Sequence, residues 1–571
     1  NHPKKPGVDC FLEALSCLVS EGYSVNGPRE ESSANKTQRA QTANNSIPAS
    51  KRRVSEKPLS RPTGIDEEIW ISGVSVVAPK AQAIDPMGLD TFAKLLEGHN
   101  FIESVDEENK QHLLDKNVVR LNKANGVFES LKTLNEVIQL FAAVGDVDLV
   151  GDYGVDEGFV DALDKTSKLA IAVGIDALRD AGLPLHRYYR PTSTGKRLPD
   201  RWGLPPLLAK RTGVIFASAF PGLDRLIDDV SWHVASHFRG KLAEMLVWVK
   251  EGINNLNFND AQEQQVQALV EEHIGALSKN ENPYEFSRKF LFRILSMGHA
   301  QLAQVILAQG PNTQINGACA SGPQALAIAE DWLRMNRCDR VLVVSADDVT
   351  NDTMFPWIGA GFLAAGAATI ESDVEQAAIP FGAKRNGMIL GSGASAFVVE
   401  KESCVQERGL QGIVQLLATT MANSAFHGTR LDSEFIRGAF NDLITKVEEQ
   451  TGLLRKDFAA ETVFMSHETY TPARGGSSAA EIDALRHSFG DAVNDVMIAN
   501  TKGYTGHPMG ASLEDIVAIK GLQRQILPGT ANLNDVDSNF SELNFVRGGS
   551  ISAKYAFRFS AGFGSQISIS A

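Results

Sequence analysis

The run Asn316-Gly317-Ala318-Cys319-Ala320-Ser321-Gly322 places the tightest local constraint on this chain. It joins a strand-like stretch to a helix-like one through small residues only. A chain of this kind must turn sharply there, and Gly317 and Gly322 permit a close backbone approach. A cysteine on such an elbow is a candidate nucleophile. The positive end of the helix beginning near Ala320 is expected to favour its thiolate. The competing reading is that a cysteine among small residues is a buried hydrophobe.

Two histidine motifs follow. Ser466-His467-Glu468-Thr469-Tyr470-Thr471-Pro472 comes directly after the apolar run Thr462-Val463-Phe464-Met465. Asn500-Thr501-Lys502-Gly503-Tyr504-Thr505-Gly506-His507-Pro508-Met509-Gly510 comes after Val496-Met497-Ile498-Ala499. Each histidine is therefore expected at the end of a strand, where open α/β sheets carry their ligand chemistry. A cysteine and two histidines at three strand ends are hard to explain by packing. The runs Val341–Ala346 and Ala396–Glu400 read as strands buried on both faces. Thr166 to Arg179 reads as a helix stopped by Asp180-Ala181-Gly182-Leu183-Pro184.

In this order, GACASG, HETYTP, TKGYTGH and Ala561-Gly562-Phe563-Gly564-Ser565 resemble the motifs of the β-ketoacyl synthases. The likeness is to the Cys-His-His branch found in type I polyketide and fatty acid megasynthases. It starts at Ile69-Trp70-Ile71-Ser72-Gly73-Val74 and continues through Arg211–Ser218 and Arg385-Asn386-Gly387-Met388-Ile389-Leu390-Gly391-Ser392-Gly393. The resemblance implies an α/β, thiolase-like fold: two duplicated halves in a five-layer αβαβα arrangement. A strand near Ile71 is expected to open the first half and one near Ile413 the second.

The implied activity is decarboxylative condensation of a Cys-bound acyl group with a malonyl-type thioester on acyl carrier protein. Cys319 is the implied nucleophile. His467 and His507 are implied donors to the enolate, and Lys502 implied support of their network. The N–H groups of Cys319 and Phe563 are the implied oxyanion hole, with Phe563 also a gate. Thr469 and Thr471 match threonines that hold the phosphopantetheine arm, and Glu481 and Glu514 match the supporting acids. Asn386 stands where the family carries an acid, and Ser392 where it carries a glutamate. Those departures keep a second reading open, a silent scaffold that dimerises and docks carrier proteins. A thiolase would need a second late cysteine, and none follows Cys404.

Composition narrows the rest. The chain has 571 residues, 43% hydrophobic, enough for a large core. Residues 1–28 read as the tail of a preceding domain, 29–66 as a polar linker, and 67–571 as the ketosynthase domain. Its halves are expected at about 67–400 and 401–571. No apolar run of transmembrane length is present, so no membrane span is expected. The net charge of −14 speaks against nucleic acid as a partner. The five cysteines have no metal-ligand spacing and suit a reducing cytoplasm. No metal and no bound cofactor are expected, because substrates would arrive on phosphopantetheine. Acyl carrier protein, a second copy in a homodimer, and neighbouring megasynthase domains are the expected partners. Arg187, Arg190, Lys196, Arg197, Arg201, Lys210 and Arg211 form a basic stretch suited to an acidic carrier. The segment between Phe220 and Asn316 is longer than the resemblance leads one to expect. Its amphipathic stretches, Asp260–Ala276 and Glu285–Met297, read mostly as core packing.

Overall fold

A computed structural model describes residues 67–571 apart from 81–84, 86–87, 123–125, 254–259, 280–283, 296 and 473–475. The readings for 1–66 lie outside the described residues.

The first sheet holds β1 (Ile69–Val77), β2 (Thr212–Ala217), β3 (Asn312–Ile315), β4 (Arg340–Asp347), β5 (Gly393–Lys401) and β6 (Val414–Gln415). The second holds β7 (Thr419–Asn423), β8 (Thr462–Met465), β9 (Met497–Ala499), β10 (Tyr555–Gly562) and β11 (Gln566–Ser570). Their spatial orders are β6-β1-β5-β4-β2-β3 and β7-β11-β10-β8-β9. Without β6, both sheets follow one plan. The first strand pairs antiparallel with the fifth, the fifth antiparallel with the fourth, and the fourth, second and third run parallel. The duplication is thus visible in topology. The counterpart of β1 is β7. The run near Ile413 instead adds a short extra strand, β6, antiparallel to β1. The chain passes from one sheet to the other between Gln415 and Thr419.

The sequences of β4 and β5 explain their central place. Every residue of RVLVVSAD and GASAFVVEK is buried, as expected when both faces of a sheet are covered. The charges at their ends are paired: Arg340 Nε lies 3.0 Å from Glu400 Oε2, and Arg408 approaches the same carboxylate.

Alternate residues of these strands face different layers. Leu342, Val344 and Val398 pack under α1 (Lys165–Asp180). Val341, Val343 and Val399 pack on the far side. Asp164 caps α1 by accepting from Ser167 N at 2.8 Å, and the helix ends at the predicted Asp180.

The segment between β2 and β3 departs from expectation. It forms α2 (Leu223–Ile253), α3 (Asp260–Lys279), a short helical turn at Phe290–Ile294, and α4 (Gly298–Ile306). Its apolar residues are mostly not core. Trp232, Phe238, Trp248, Phe286 and Leu291 are all exposed. Amphipathic spacing gives a helix an apolar face, but does not say whether the same chain covers it.

Between the sheets lie α5 (Ser321–Arg334) and, after the second histidine motif, α8 (Leu513–Arg524). Each packs on strands of both sheets. The outer face of the second sheet is covered by α6 (Ser433–Thr451) and α7 (Ser478–Phe489). The layers are therefore helix, sheet, helix, sheet, helix.

Gly322 at the start of α5 abuts Ser512 at the start of α8. A Cβ there would lie 1.9 Å from Ser512 Oγ and 3.1 Å from the Gly510 carbonyl. Gly322→Ala should lower unfolding stability by at least about 3 kcal/mol, the upper range for overpacking against backbone. Gly361→Ala, whose Cβ meets nothing within 4 Å, should be neutral or gain up to about 1 kcal/mol of helix propensity. Thermal unfolding of the two variants checks this.

Candidate functional site

Cys319 and His507 occupy equivalent places in the two halves. Cys319 lies between β3 and α5, and His507 between β9 and α8. His467 follows β8, the second strand of its half. The duplication therefore aims all three at the centre of the molecule. They line one cavity of about 640 Å³.

The elbow is built as its sequence suggested. Ala318 takes a left-handed conformation, φ 52°. Asn316 Oδ1 accepts from Ala318 N at 3.0 Å, and Ser321 Oγ accepts from Gly317 N at 3.0 Å. The Cys319 carbonyl accepts from Ser560 Oγ on β10 at 2.9 Å. Gly562 must lack a side chain, because a Cβ would lie 2.3 Å from the Gly317 carbonyl and 3.0 Å from Cys319 N.

The thiol itself departs from expectation. Cys319 is only partly exposed, through the cavity. Burial pushes its thiol up to about 12; Lys502 opposes that rise, and Asp347 and Glu514 add to it. The desolvation of the sulfur is the largest cause.

The His467 and His507 rings stand edge to face with centroids 5.5 Å apart. Burial first, and the Lys502 charge second, hold His507 down to about 3 and His467 well below the usual imidazole range. Both are neutral at pH 7. Neither Nδ1 has a hydrogen-bond partner among the described residues.

Backbone contacts hold both loops. His507 N donates to the Ile389 carbonyl at 2.8 Å, and Gly391 N donates to the His507 carbonyl at 2.9 Å. His467 N donates to Glu481 Oε2 at 2.9 Å, and Ser466 Oγ donates to Oε1 at 2.8 Å. Burial pushes the Glu481 carboxyl up to about 7.

Lys502 is buried beneath the site rather than lining it, and pairs with Glu514. Arg558 reaches the other oxygen of Glu514 at 3.3 Å. Burial alone would raise the Glu514 carboxyl, but the two cations hold it at about 2. Burial also lowers Lys502, opposed by Glu514.

Thr469 and Thr471 line the cavity beside His467. Phe563 stands half exposed at its edge, 5.9 Å from the Phe362 ring. Among the described residues, neither Cys319 N nor Phe563 N donates to a backbone carbonyl.

The departures noted in the sequence are accommodated locally. Asn386 accepts from Thr369 Oγ1 at 2.6 Å and donates to the Gln376 carbonyl at 2.9 Å. Ser392 Oγ accepts from Val349 N and Thr350 N at 3.0 and 3.2 Å. The neighbouring Arg385 reaches Glu468 at 3.5 Å and Asp537 at 3.0 Å. Of the loop after His467, residues 473–475 lie outside the described residues.

Sequence reasoning missed His427, which also lines the cavity. Its Nδ1 accepts from Thr429 N at 3.1 Å. It sits in an exposed loop with no local motif, and reaches the site because Ser565 Oγ accepts from His427 N at 3.0 Å.

The basic stretch goes elsewhere. Arg187, Arg190, Arg197 and Arg201 lie on the hairpin His186–Pro191/Arg197–Gly203, with the Arg187 guanidinium over the Trp202 ring. Arg211 is paired with Asp339 at 2.7 Å. Trp202, Arg190 and Arg201 wall a separate cavity of about 300 Å³ against α1. That is the face of the first sheet opposite α5 and Cys319.

Comparison with known proteins agrees with this geometry. Residues 253–404 match the family model of the beta-ketoacyl synthase, N-terminal domain. The chain is 27% identical over 258 residues to the 3-oxoacyl-[acyl-carrier-protein] synthase 2 of Coxiella burnetii, covering 44% of this chain and 59% of that one. It is 28% identical over 246 residues to the tetracenomycin polyketide synthase ketoacyl synthase alpha subunit of Streptomyces glaucescens, covering 42% and 54%. The chain thus spans a little over half the length of these relatives. Among solved structures, a beta-ketoacyl synthase from Burkholderia phymatum superposes with a TM-score of 0.62 at 18% identity, covering 88% of this chain and 98% of the other. A type II polyketide ketosynthase in complex with its acyl carrier protein gives 0.58 at 16% identity, with the same coverage. The fold is thiolase-like α/β. Over residues 253–404 the chain is similar to the N-terminal domain of the beta-ketoacyl synthases.

Alkylation of Cys319 by iodoacetamide should be slow at neutral pH. Its rate should rise about tenfold per pH unit through pH 9 without a plateau, because only the thiolate reacts. Lys502→Met should slow it further by removing the charge that opposes burial. A plateau below pH 9 would mean an activated thiolate instead.

Proposed function

We propose that residues 67–571 form a ketosynthase domain that extends an acyl chain by decarboxylative condensation. The observation that carries this reading is the convergence of Cys319, His467 and His507 on one cavity, with Thr469 and Thr471 beside them.

In the first half-reaction the acyl group moves from the phosphopantetheine thiol of a carrier protein to Cys319. The Cys319 S–H bond and the incoming C–S bond break, and a new thioester forms on Sγ. Because the resting thiol is neutral, its proton must leave during attack. It ends on the departing pantetheine thiol, which balances the exchange. The N–H groups of Cys319 and Phe563 suit an oxyanion hole, since no backbone carbonyl occupies them.

In the second half-reaction a malonyl-type thioester enters past Phe563. Thr469 and Thr471 are placed to hold its pantetheine arm. The malonyl C–C bond breaks and carbon dioxide leaves, so charge moves onto the thioester oxygen as the enolate forms. Two neutral imidazoles are suited to stabilise that charge, because each can donate an N–H hydrogen bond to the oxygen. The enolate carbon attacks the Cys319 thioester, and Sγ departs as the leaving group. Lys502, held by Glu514, acts as a fixed cation behind the histidines. Phosphopantetheine on the carrier supplies the handle, and the reaction calls for no further cofactor.

We read the domain as a homodimer of a larger synthase. β3 forms an edge of the first sheet, and the exposed apolar helices α2 and α3 begin from the neighbouring strand. The basic hairpin faces away from Cys319, so it does not enter this proposal as a carrier-docking surface.

Intact-protein mass spectrometry with acyl thioester mimics tests the reading. The parent should gain one acyl mass, and Cys319→Ala should gain none. His467→Ala and His507→Ala should each slow single-turnover condensation by about 10²–10³-fold, the usual loss for one oxyanion donor. A folded parent that gains no acyl mass, even from carrier-bound acyl groups, would point to the silent scaffold.

A further inference from the structure

Asp347 ends β4 and is fully buried; beyond its charge, which helps hold the Cys319 thiol up, it has no role described so far. Its carboxylate collects four donors from distant parts of the chain. Oδ1 accepts from Ser218 Oγ at 2.7 Å and from Phe220 N at 2.9 Å. Ala219 N is shared between the two oxygens, 3.1 Å from Oδ1 and 3.0 Å from Oδ2. Oδ2 accepts from Gly510 N at 2.7 Å. Burial pushes the carboxyl up to about 6 despite these donors, which leaves it ionised at neutral pH.

Each donor leads to a part of the site. Gly510 belongs to the turn that begins at His507, where Met509 takes φ 52° and Ala511 N donates to the Pro508 carbonyl at 3.0 Å. Ala219 leads the other way. Its carbonyl accepts from Asn316 Nδ2 at 2.9 Å, and Asn316 Oδ1 accepts from Ala318 N at 3.0 Å. One carboxylate is therefore bonded to the His507 turn directly and to the Cys319 elbow through two residues. Space is matched to it: a Cβ on Gly510 would lie 2.8 Å from Asp347 Oδ2 and 3.1 Å from Ser321 Cβ.

We propose that Asp347 is a positioning residue that holds the Cys319 elbow and the His507 turn in one fixed register. It rests on the reading of the site as a condensing centre. An ionised carboxylate is the side chain that can accept from all four donors at once, since it carries no proton of its own. In Asp347→Asn one oxygen becomes an NH₂ group facing N–H donors, so at least one arm must let go.

Two half-reactions, each measured in single turnover, separate the arms. Acylation of Cys319 is read by intact mass, and condensation of the pre-acylated protein by product formation. Asp347→Asn should slow condensation by about 10²-fold, the scale for a misplacement near 1 Å, with KM for the malonyl thioester changed far less. Asn316→Ala, which cuts the elbow arm alone, should slow acylation more than condensation. A folded Asp347→Asn with both steps within about threefold of the parent overturns the proposal. Should Asp347→Asn not fold, Asn316→Ala decides, and an equal effect on both steps overturns it. A parent that does neither step fails the condensing reading itself, a distinct outcome.

Discussion

Two helices begin inside this molecule, and their meeting fixes the rest. α5 and α8 lie between the sheets with their N-terminal ends in contact, Gly322 against Ser512. Buried helix ends leave N–H groups that need partners, and they favour negative charge. The residues just before these helices are therefore the natural place for chemistry that develops an anion. Cys319 precedes one and His507 the other. The sheets can close around this pair only if no side chain separates the ends, so glycine at 322 and a small residue at 512 are demanded by packing before any chemistry is considered.

Electrostatics at the centre runs against the simplest expectation. A nearby lysine favours the thiolate, yet removal of water is the larger effect and pushes the thiol up. The same removal of water keeps both histidines neutral. A buried charge cluster, Lys502 with Glu514 and Arg558, is placed behind the reacting groups. The site is thus a neutral chamber on a charged floor.

Much of this was legible in the sequence. The cysteine elbow and both histidine motifs stand at strand ends as their flanking apolar runs suggested. The largely apolar runs 341–346 and 396–400 became central strands, because such runs need cover on both faces. What escaped was set by distance along the chain. Asp347 bonds to residues 129 and 163 positions away, and locally it is only the polar residue ending a strand. The strand opening the second sheet was placed near Ile413, because two short half-apolar runs lie within a few residues and nothing local says which sheet each joins. The apolar stripes of α2 and α3 were legible as stripes, but a periodic pattern carries no record of what covers it. The acidity of Cys319 depended on the density of atoms around it, which no motif encodes.

The shared topology of the two sheets has a consequence for synthesis. Cys319 belongs to the first half, but the surface that closes on it, from Ser560 to Phe563, comes from the last pair of strands to be made. Until β10 and β11 insert beside β7 and β8, the elbow has no lid and its sulfur has no dry surroundings. A nascent chain would carry an ordinary thiol, open to the cell's oxidants and scavengers. The chamber that masks it comes into being only when the second half completes the first.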